Sequence, residues 1–552
     1  PKCCAHPSNH IGDKPTKSLP TTHYLWTPPP ALSLSHSIIW LACAQQAETT
    51  PEPVFYFAPS TRCEHMEIEA AAADSGASEL EVVVFPWLAF GHMIPYLELS
   101  KRLAARGNAV SFVSTPRNLA RLPPVPVQLS AHLRFVPLPL PAMEGLPEGA
   151  ESTADVLPDK MGLLKKAMDG LAEPFAAFLA DAVAAGRRPD WIILDFCHHW
   201  VLLLPIADQH KVPCALFQIL HAAIAAFLGP QWANAAHPRM EPEDFTVPPK
   251  WIPFPCTTFF LRHEAQWVAS AFHANASGVS DMDRLWHIWE RCRLTIHRSC
   301  EELEPQMFSL LSDLFRRPAI PAGILLPAVP DDHDEDHINS RSGCVSRPKV
   351  LRWLDDQPPN SVIYVALGSE APLTLQNIHE LALGLELAGV RFHWALWKPA
   401  GTSTGNDDEL LPAGFEERTR LRGLVCTGWV PQVKALAHGA TGAFLTDCGW
   451  GSTIESFAFG LPLVMLPFII DTPMIARAMA KRGIGVEVAR DDSDGSFERD
   501  GLAVAVRRVM VEDEGKLFAT NAKKLKELVV DEGRQEQYIH ELEDHLRRNK
   551  DV

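Results

Sequence analysis

From Glu81 onward, short apolar runs alternate with helical patterns, and the alternation occurs twice. Glu81–Trp87, Ala109–Ser114, Trp191–Asp195 and Val212–Phe217 are apolar along nearly their whole length, and 94–106 between the first two has a helical pattern. Strands that carry apolar side chains on both faces fit a parallel sheet covered by helices on both sides. The acidic, polar segment 326–348 interrupts this pattern and reads as an interdomain linker. A second series comes after it. Strands are predicted at Ser361–Leu367, Arg391–Leu396, Gly442–Thr446 and Leu461–Leu466, with helices over Leu375–Ala388 and Ser452–Phe459. The class is therefore α/β, with two Rossmann-like domains facing across a cleft. The expected division is 1–65 as an N-terminal extension, 66–325 as the first domain, 326–348 as the linker and 349–535 as the second domain. The charged tail is helical from Lys516, and 536–552 is expected to pack back on the first domain. In such sheets ligands sit beyond the carboxyl ends of the strands.

A formal net charge of -17 repels phosphate backbones, so nucleic acid is not an expected partner. The twelve cysteines are scattered without a C-x-x-C pair, which fits reduced thiols in a cytoplasmic protein. The His and Asp residues of the linker have loose spacing and no scaffold, so they read as a solvated segment rather than a metal site. Residues 1–65 are rich in Pro, Ser, Thr and His and lack periodicity. Their one apolar run, Ala31–Ala44, is too short to span a bilayer and has no compact basic region before it. No integral membrane segment is expected. Met66 opens a typical polar lead into a first strand and is the expected start, with 1–65 a disordered or spurious extension. The protein is expected to be a monomer.

The first candidate chemistry is at Gly91 and His92, just after the first strand and before a helix. A histidine there suits a general base, because its unperturbed pKa is about 6.5. Asp195 ends the third of these strands. An Asp that accepts from one imidazole nitrogen fixes the tautomer and supports the imidazolium as the other nitrogen takes a proton. Taken singly, either residue also fits a capping or packing role. His198 and His199 read as packing or acceptor-side residues.

Residues 429–472 read WVPQVKALAHGATGAFLTDCGWGSTIESFAFGLPLVMLPFIIDT. This stretch resembles the donor-sugar signature of the plant family 1 UDP-glycosyltransferases. Gly91-His92-Met93-Ile94-Pro95 and Asp195 resemble the family's catalytic base and the Asp that orients it, and the likeness extends over roughly 79–545. The resemblance implies the GT-B fold and an inverting transfer of a sugar, expected to be glucose, from a UDP-sugar. The UDP-sugar is a co-substrate, and neither a cofactor nor a metal is expected. It implies that Trp429 stacks the uracil and Val430 reads its edge through backbone groups. Gln432 and Glu455 would hold the ribose. Ser369, Gly449, Gly451 and Ser452 would meet the diphosphate at a helix N-terminus. Trp450, Asp471 and Thr472 would face the sugar, with Gly91 at the reacting end. Other segments, including Trp191–Trp200 and 146–153, resemble the subgroup acting on flavonoid or terpenoid glycosides. Segment 220–300, rich in Trp, His and Phe, reads either as the acceptor pocket wall or as plain core.

Three positions depart from the family pattern. Asp447 stands where the family has a His that donates to phosphate, and an ionised Asp cannot donate. The lost charge-assisted bond is worth about 1.5–3 kcal/mol. Gly451 replaces an Asn that also donates to phosphate, and Thr472 replaces a Gln that contacts the sugar. At about 1–2 kcal/mol each, the three changes would weaken donor binding by roughly hundreds-fold, although residues in one network need not add. The alternative reading is therefore a non-catalytic relative with an impaired donor site. An epimerase-type enzyme with two Rossmann domains lacks the His-Asp placement.

Overall fold

The computed structural model describes residues 79–254, 259–327, 349–368, 371–397, 410–428 and 430–551. The extension 1–65, the expected start Met66, most of the linker, Ser369 and Trp429 lie outside the described residues. Residues Gly76–Val552 form one compact unit. It holds two parallel sheets. The first has seven strands in the order β3-β2-β1-β4-β5-β6-β7. These are β1 (Glu81–Phe85), β2 (Ala109–Ser114), β3 (Leu133–Pro137), β4 (Trp191–Leu194), β5 (Cys214–Gln218), β6 (Leu294–His297) and β7 (Ala319–Pro321). The second has six strands in the order β10-β9-β8-β11-β12-β13. They are β8 (Val362–Ala366), β9 (Arg391–Leu396), β10 (Gly423–Thr427), β11 (Thr441–Thr446), β12 (Leu463–Met465) and β13 (Gly485–Glu487).

Burial on both faces explains why the strands read as unbroken apolar runs. Val82 and Val84 of β1 pack on one side with Tyr96, Leu97 and Ile539. Val83 and Phe85, one residue out of phase, pack on the other with Phe175, Leu179 and Trp200. The second sheet repeats the division: Val362 and Tyr364 join one core, Ile363 and Val365 the other. Strands β3, β6, β7, β10 and β13 are additions to those expected from sequence; β7 and β13 are only three residues long. The aromatic residues of 220–300 are largely core: Phe227, Phe245, Phe260, Phe272 and Trp289 are buried in one cluster.

In each sheet the strand order reverses once, between β1 and β4 and between β8 and β11. The loops leaving these four strands diverge and open a crevice at each switch point. His92 and Asp195 come after β1 and β4, while Gly368 and Asp447 come after β8 and β11.

The last helix, Glu532–Asn549, begins ahead of the expected 536, because Asp531 accepts from the Arg534 N–H at 2.8 Å and caps it. It crosses back to the first sheet. Trp191 donates its indole N–H to the Leu546 carbonyl at 2.9 Å. Glu543, only 3% exposed, accepts from Asn108 at 2.6 Å, Arg106 at 2.8 Å and Arg547 at 2.9 Å. Glu543→Ala would leave those donors without their acceptor and is expected to cost about 2–4 kcal/mol. Glu536→Ala, on the exposed side of the same helix, should cost below about 1 kcal/mol. Urea unfolding of both variants checks this, and equal losses would contradict it.

Candidate active site

The helix Phe90–Ala105 starts directly after the β1 loop and brings His92 over the end of the first sheet. His92 Nδ1 lies 2.7 Å from Asp195 Oδ2. The pair is asymmetric, with the His side chain 20% exposed and the Asp 3%. Asp195 Oδ2 also accepts the Trp87 N–H at 3.0 Å, and Oδ1 accepts the Phe196 N–H at 2.7 Å. Burial pushes the Asp195 carboxyl up, but His92, the Trp87 N–H and His198 together hold it below the usual carboxylate value. The result is a fixed anion gripping one nitrogen of a partly open imidazole. His198 is fully buried against Phe85, ring centroids 4.4 Å apart, and burial pulls its pKa down to about 4. It is a neutral packing group. His199 lies on Arg284, whose guanidinium makes a two-pronged ion pair with Asp169 at 2.6 Å. Gly91 has open space on its Cβ side.

In the second domain, Gln432, Ser452 and Glu455 converge. Gln432 Nε2 donates to Glu455 Oε2 at 2.7 Å and to Ser452 Oγ at 3.2 Å. Val430 is half-buried at the adjoining loop. Gly449 precedes the helix Trp450–Phe459, which carries no capping side-chain bond at its first residue. Cys448 has φ 67° and Ile470 φ 57°, so two non-glycine residues in the left-handed region stand beside Asp447 and Asp471. Such backbone is costly and concentrates at functional sites.

Asp447 sits between the two switch-point loops of this domain. Its Oδ1 accepts the Gly449 N–H at 3.3 Å. A Cβ on Gly368, where φ is 72°, would lie 3.5 Å from its Oδ2. Burial, reinforced by Asp471, raises the Asp447 carboxyl to about 7 against the pull of the Gly449 N–H. The expected repulsion of a diphosphate is therefore reduced near neutral pH, where much of Asp447 is protonated and able to donate. Asp471 is itself raised by burial, and its Oδ2 is buried without a hydrogen-bond partner among the described residues.

Two of the groups expected to face the sugar have their polar atoms engaged elsewhere. The Trp450 indole N–H donates to the Arg298 carbonyl at 2.7 Å, so its ring joins the two domains. His221 meets that ring edge-on at 5.9 Å. Thr472 Oγ1 donates to the Ile469 carbonyl at 2.8 Å and accepts the Phe468 and Ile469 N–H groups at 3.2 Å, which ties it to its own loop. Arg298, His221 and Glu304 join the site without having been expected from sequence. Glu304 accepts the Ala222 and Ala223 N–H groups at 2.7 and 2.8 Å and the Ser299 hydroxyl at 2.6 Å. Arg298 comes directly after β6, and that strand-end position is its only signal in the sequence. Among the described residues no group of three His, Cys, Asp or Glu side chains could hold a metal ion, and no helix is long and apolar enough to cross a membrane.

Residues 351–534 match the family described as UDP-glucoronosyl and UDP-glucosyl transferase. The chain is 42% identical to UDP-glycosyltransferase 91B1 of Arabidopsis thaliana, over 80% of this chain and 92% of that one. It is 35% identical to soyasaponin III rhamnosyltransferase of Glycine max, over 88% and 98%. Among solved structures it superposes on Os79 from O. sativa in complex with UDP with a TM-score of 0.64 at 24% identity, covering 84% of this chain and all of that one. The chain belongs to the plant family 1 UDP-glycosyltransferases and has their GT-B fold.

The position of Asp447 has a pH consequence. Its folded pKa of about 7 lies above the ordinary carboxyl value of 3.8. The folded chain therefore holds this proton more tightly than the unfolded one, and stability falls as pH rises through that window. Ionisation would also set an anion where the resemblance implies the diphosphate. UDP-glucose affinity is expected to fall by roughly tenfold between about pH 6 and 8.5, and Asp447→Asn should flatten the slope. Calorimetric titration at several pH values checks this; an unchanged slope in the variant would contradict it.

Proposed function

We propose that the protein transfers glucose from UDP-glucose, with inversion, to a hydroxyl of a plant secondary metabolite that already carries a sugar. The observation that carries the reading is the 2.7 Å contact between His92 and Asp195 at the first switch point. In this reaction His92 takes the proton of the acceptor hydroxyl while Asp195 supports the forming imidazolium. The acceptor oxygen bonds to the anomeric carbon as the bond from that carbon to the diphosphate oxygen breaks. UDP leaves toward Gly449, Gly451, Ser452 and the loop of Ser369, where protein N–H groups and the helix N-terminus take its charge. Gln432 and Glu455 hold the ribose, Val430 and Trp429 the uracil, and Asp471 the sugar. Its buried carboxylate oxygen, without a partner among the described residues, suits a sugar hydroxyl.

A glycosylated acceptor is supported by the names of three relatives. They are soyasaponin III rhamnosyltransferase, β-D-glucosyl crocetin β-1,6-glucosyltransferase and anthocyanidin-3-O-glucoside rhamnosyltransferase. We propose a flavonoid or terpenoid glycoside as the acceptor, a reading supported by the resemblance of Trp191–Trp200 and 146–153 to that subgroup. The rival reading, a protein that binds acceptors without transferring sugar, is favoured by the carboxyl of Asp447 at the diphosphate end. Its raised pKa weighs against that rival.

His92→Ala is expected to lower kcat/KM by about 10²–10⁴-fold while leaving UDP-glucose binding unchanged. Turnover of a panel of glycosides by both proteins checks it; undiminished transfer by the variant would reject His92 as the base.

A further inference from the structure

Arg298 is 3% exposed, yet no carboxylate forms an ion pair with it among the described residues. It comes directly after β6 and is held from both sides. Its N–H donates to the Gln218 carbonyl at 2.9 Å and its carbonyl accepts the Trp450 indole at 2.7 Å. Nε donates to the Ile324 carbonyl at 3.1 Å and Nη2 to the Leu325 carbonyl at 3.3 Å. Those two bonds orient the fork and leave Nη1 aimed at the second domain. There it would lie 3.4 Å from a Cβ on Gly451, the only neighbour such a Cβ would meet within 4 Å among the described residues. Nη1 has no hydrogen-bond partner among the described residues. Glu455 and Glu98 face the guanidinium electrostatically, but Glu455 is hydrogen-bonded to Gln432 and Glu98 to Lys101.

A buried guanidinium without a partner anion is unfavourable. Burial lowers its pKa to about 10, so it is still a cation at neutral pH. Gly451 is the second residue of the ten-residue helix Trp450–Phe459, whose N-terminal N–H groups and dipole attract an anion. Two independent features from two domains thus converge on one point, and both call for negative charge. Guanidinium is the side chain best suited to phosphate.

We propose that Arg298 is a donor-binding residue whose Nη1 hydrogen-bonds the diphosphate of the UDP-sugar beside Gly451. It supplies from the first domain the polar contact that a glycine cannot make, and it couples donor binding to the junction at Trp450. The assignment rests on the proposed UDP-sugar reaction.

The test is calorimetric titration of UDP and of uridine into the unaltered chain and into Arg298→Gln. Uridine lacks the diphosphate but uses the same base and ribose contacts, so it reports an intact pocket. Arg298→Gln is expected to weaken UDP by roughly 10- to 100-fold and to change uridine by less than about twofold. Adding Gly451→Asn to that variant should restore part of the UDP affinity. If the Gln variant does not fold, Arg298→Lys carries the same comparison, with an expected loss for UDP alone of roughly 3- to 10-fold. Equal weakening of UDP and uridine would mean a structural role and overturn the assignment. Unchanged UDP binding would overturn it as well, while leaving the proposed reaction standing. Absence of UDP binding by the unaltered chain would overturn the reaction and this assignment together.

Discussion

A parallel sheet places every strand's carboxyl end on one edge, and a single reversal of strand order opens that edge into a crevice. This constraint operates in both sheets and decides where the reactive side chains stand. At the first reversal the loops leaving β1 and β4 carry His92 and Asp195 into contact at 2.7 Å. At the second, the loops leaving β8 and β11 bring Gly368 and Asp447 against each other. Neither pair is close in sequence. Each is made adjacent by hydrogen bonding between parallel neighbours, β1 with β4 and β8 with β11. The chemistry of the site is thus inherited from the core that holds those strands in register.

The two crevices are tied to each other through side-chain hydrogen bonds and ion pairs. Trp450 opens the helix at the donor end and directs its indole N–H to the carbonyl of Arg298. Arg477 of the second domain grips Glu264 of the first at 2.9 Å with a second bond at 3.1 Å. The final helix then returns to the first domain: Arg534 and Tyr538 meet Glu302, and Glu543 meets Arg106. A site spread over two domains needs such fixed contacts, because misplacement of reacting groups by about 1 Å is costly in rate. The departures at Asp447 and Gly451 belong to this context. The carboxyl at 447 is buried enough to keep its proton near neutrality, and the space beside Gly451 faces a cation from the other domain. Taken in isolation each replacement removes a donor; the proton kept on Asp447 and the guanidinium of Arg298 are the proposed replacements.

Much of the frame is legible in the residues. Ala109–Ser114, Arg391–Leu396 and Leu375–Ala388 fall where their patterns place them, since runs apolar on both faces leave little choice but a doubly covered sheet. Two such series give two Rossmann-like domains, and the GT-B class is what the resemblance at 429–472 implies. Strands such as β7 and β13 are not legible, because Pro and Gly break up the apolar residues around them and only pairing with a neighbour defines them. The His92–Asp195 pairing can be read because both sit at strand ends. Arg298 cannot, since its meaning comes from Gly451 across the cleft, in a distant part of the chain. The roles of Trp450 and Thr472 are also beyond the sequence: a polar atom at the right position says nothing of whether a backbone carbonyl has already taken it. Burial changes the reading of Asp447, because charge state depends on surroundings that composition does not report.

The central claim is the proposal that a donor is still held at this site because Asp447 keeps its proton near neutrality and Arg298 stands beside Gly451. The most direct test is a crystal structure of the chain with UDP bound. The account predicts the diphosphate at the N-terminus of the helix Trp450–Phe459, within hydrogen-bond distance of Ser452 and of Arg298 Nη1, with the ribose toward Gln432 and Glu455. A diphosphate lying away from that helix, or an Arg298 fork turned from it toward a carboxylate, would contradict the account.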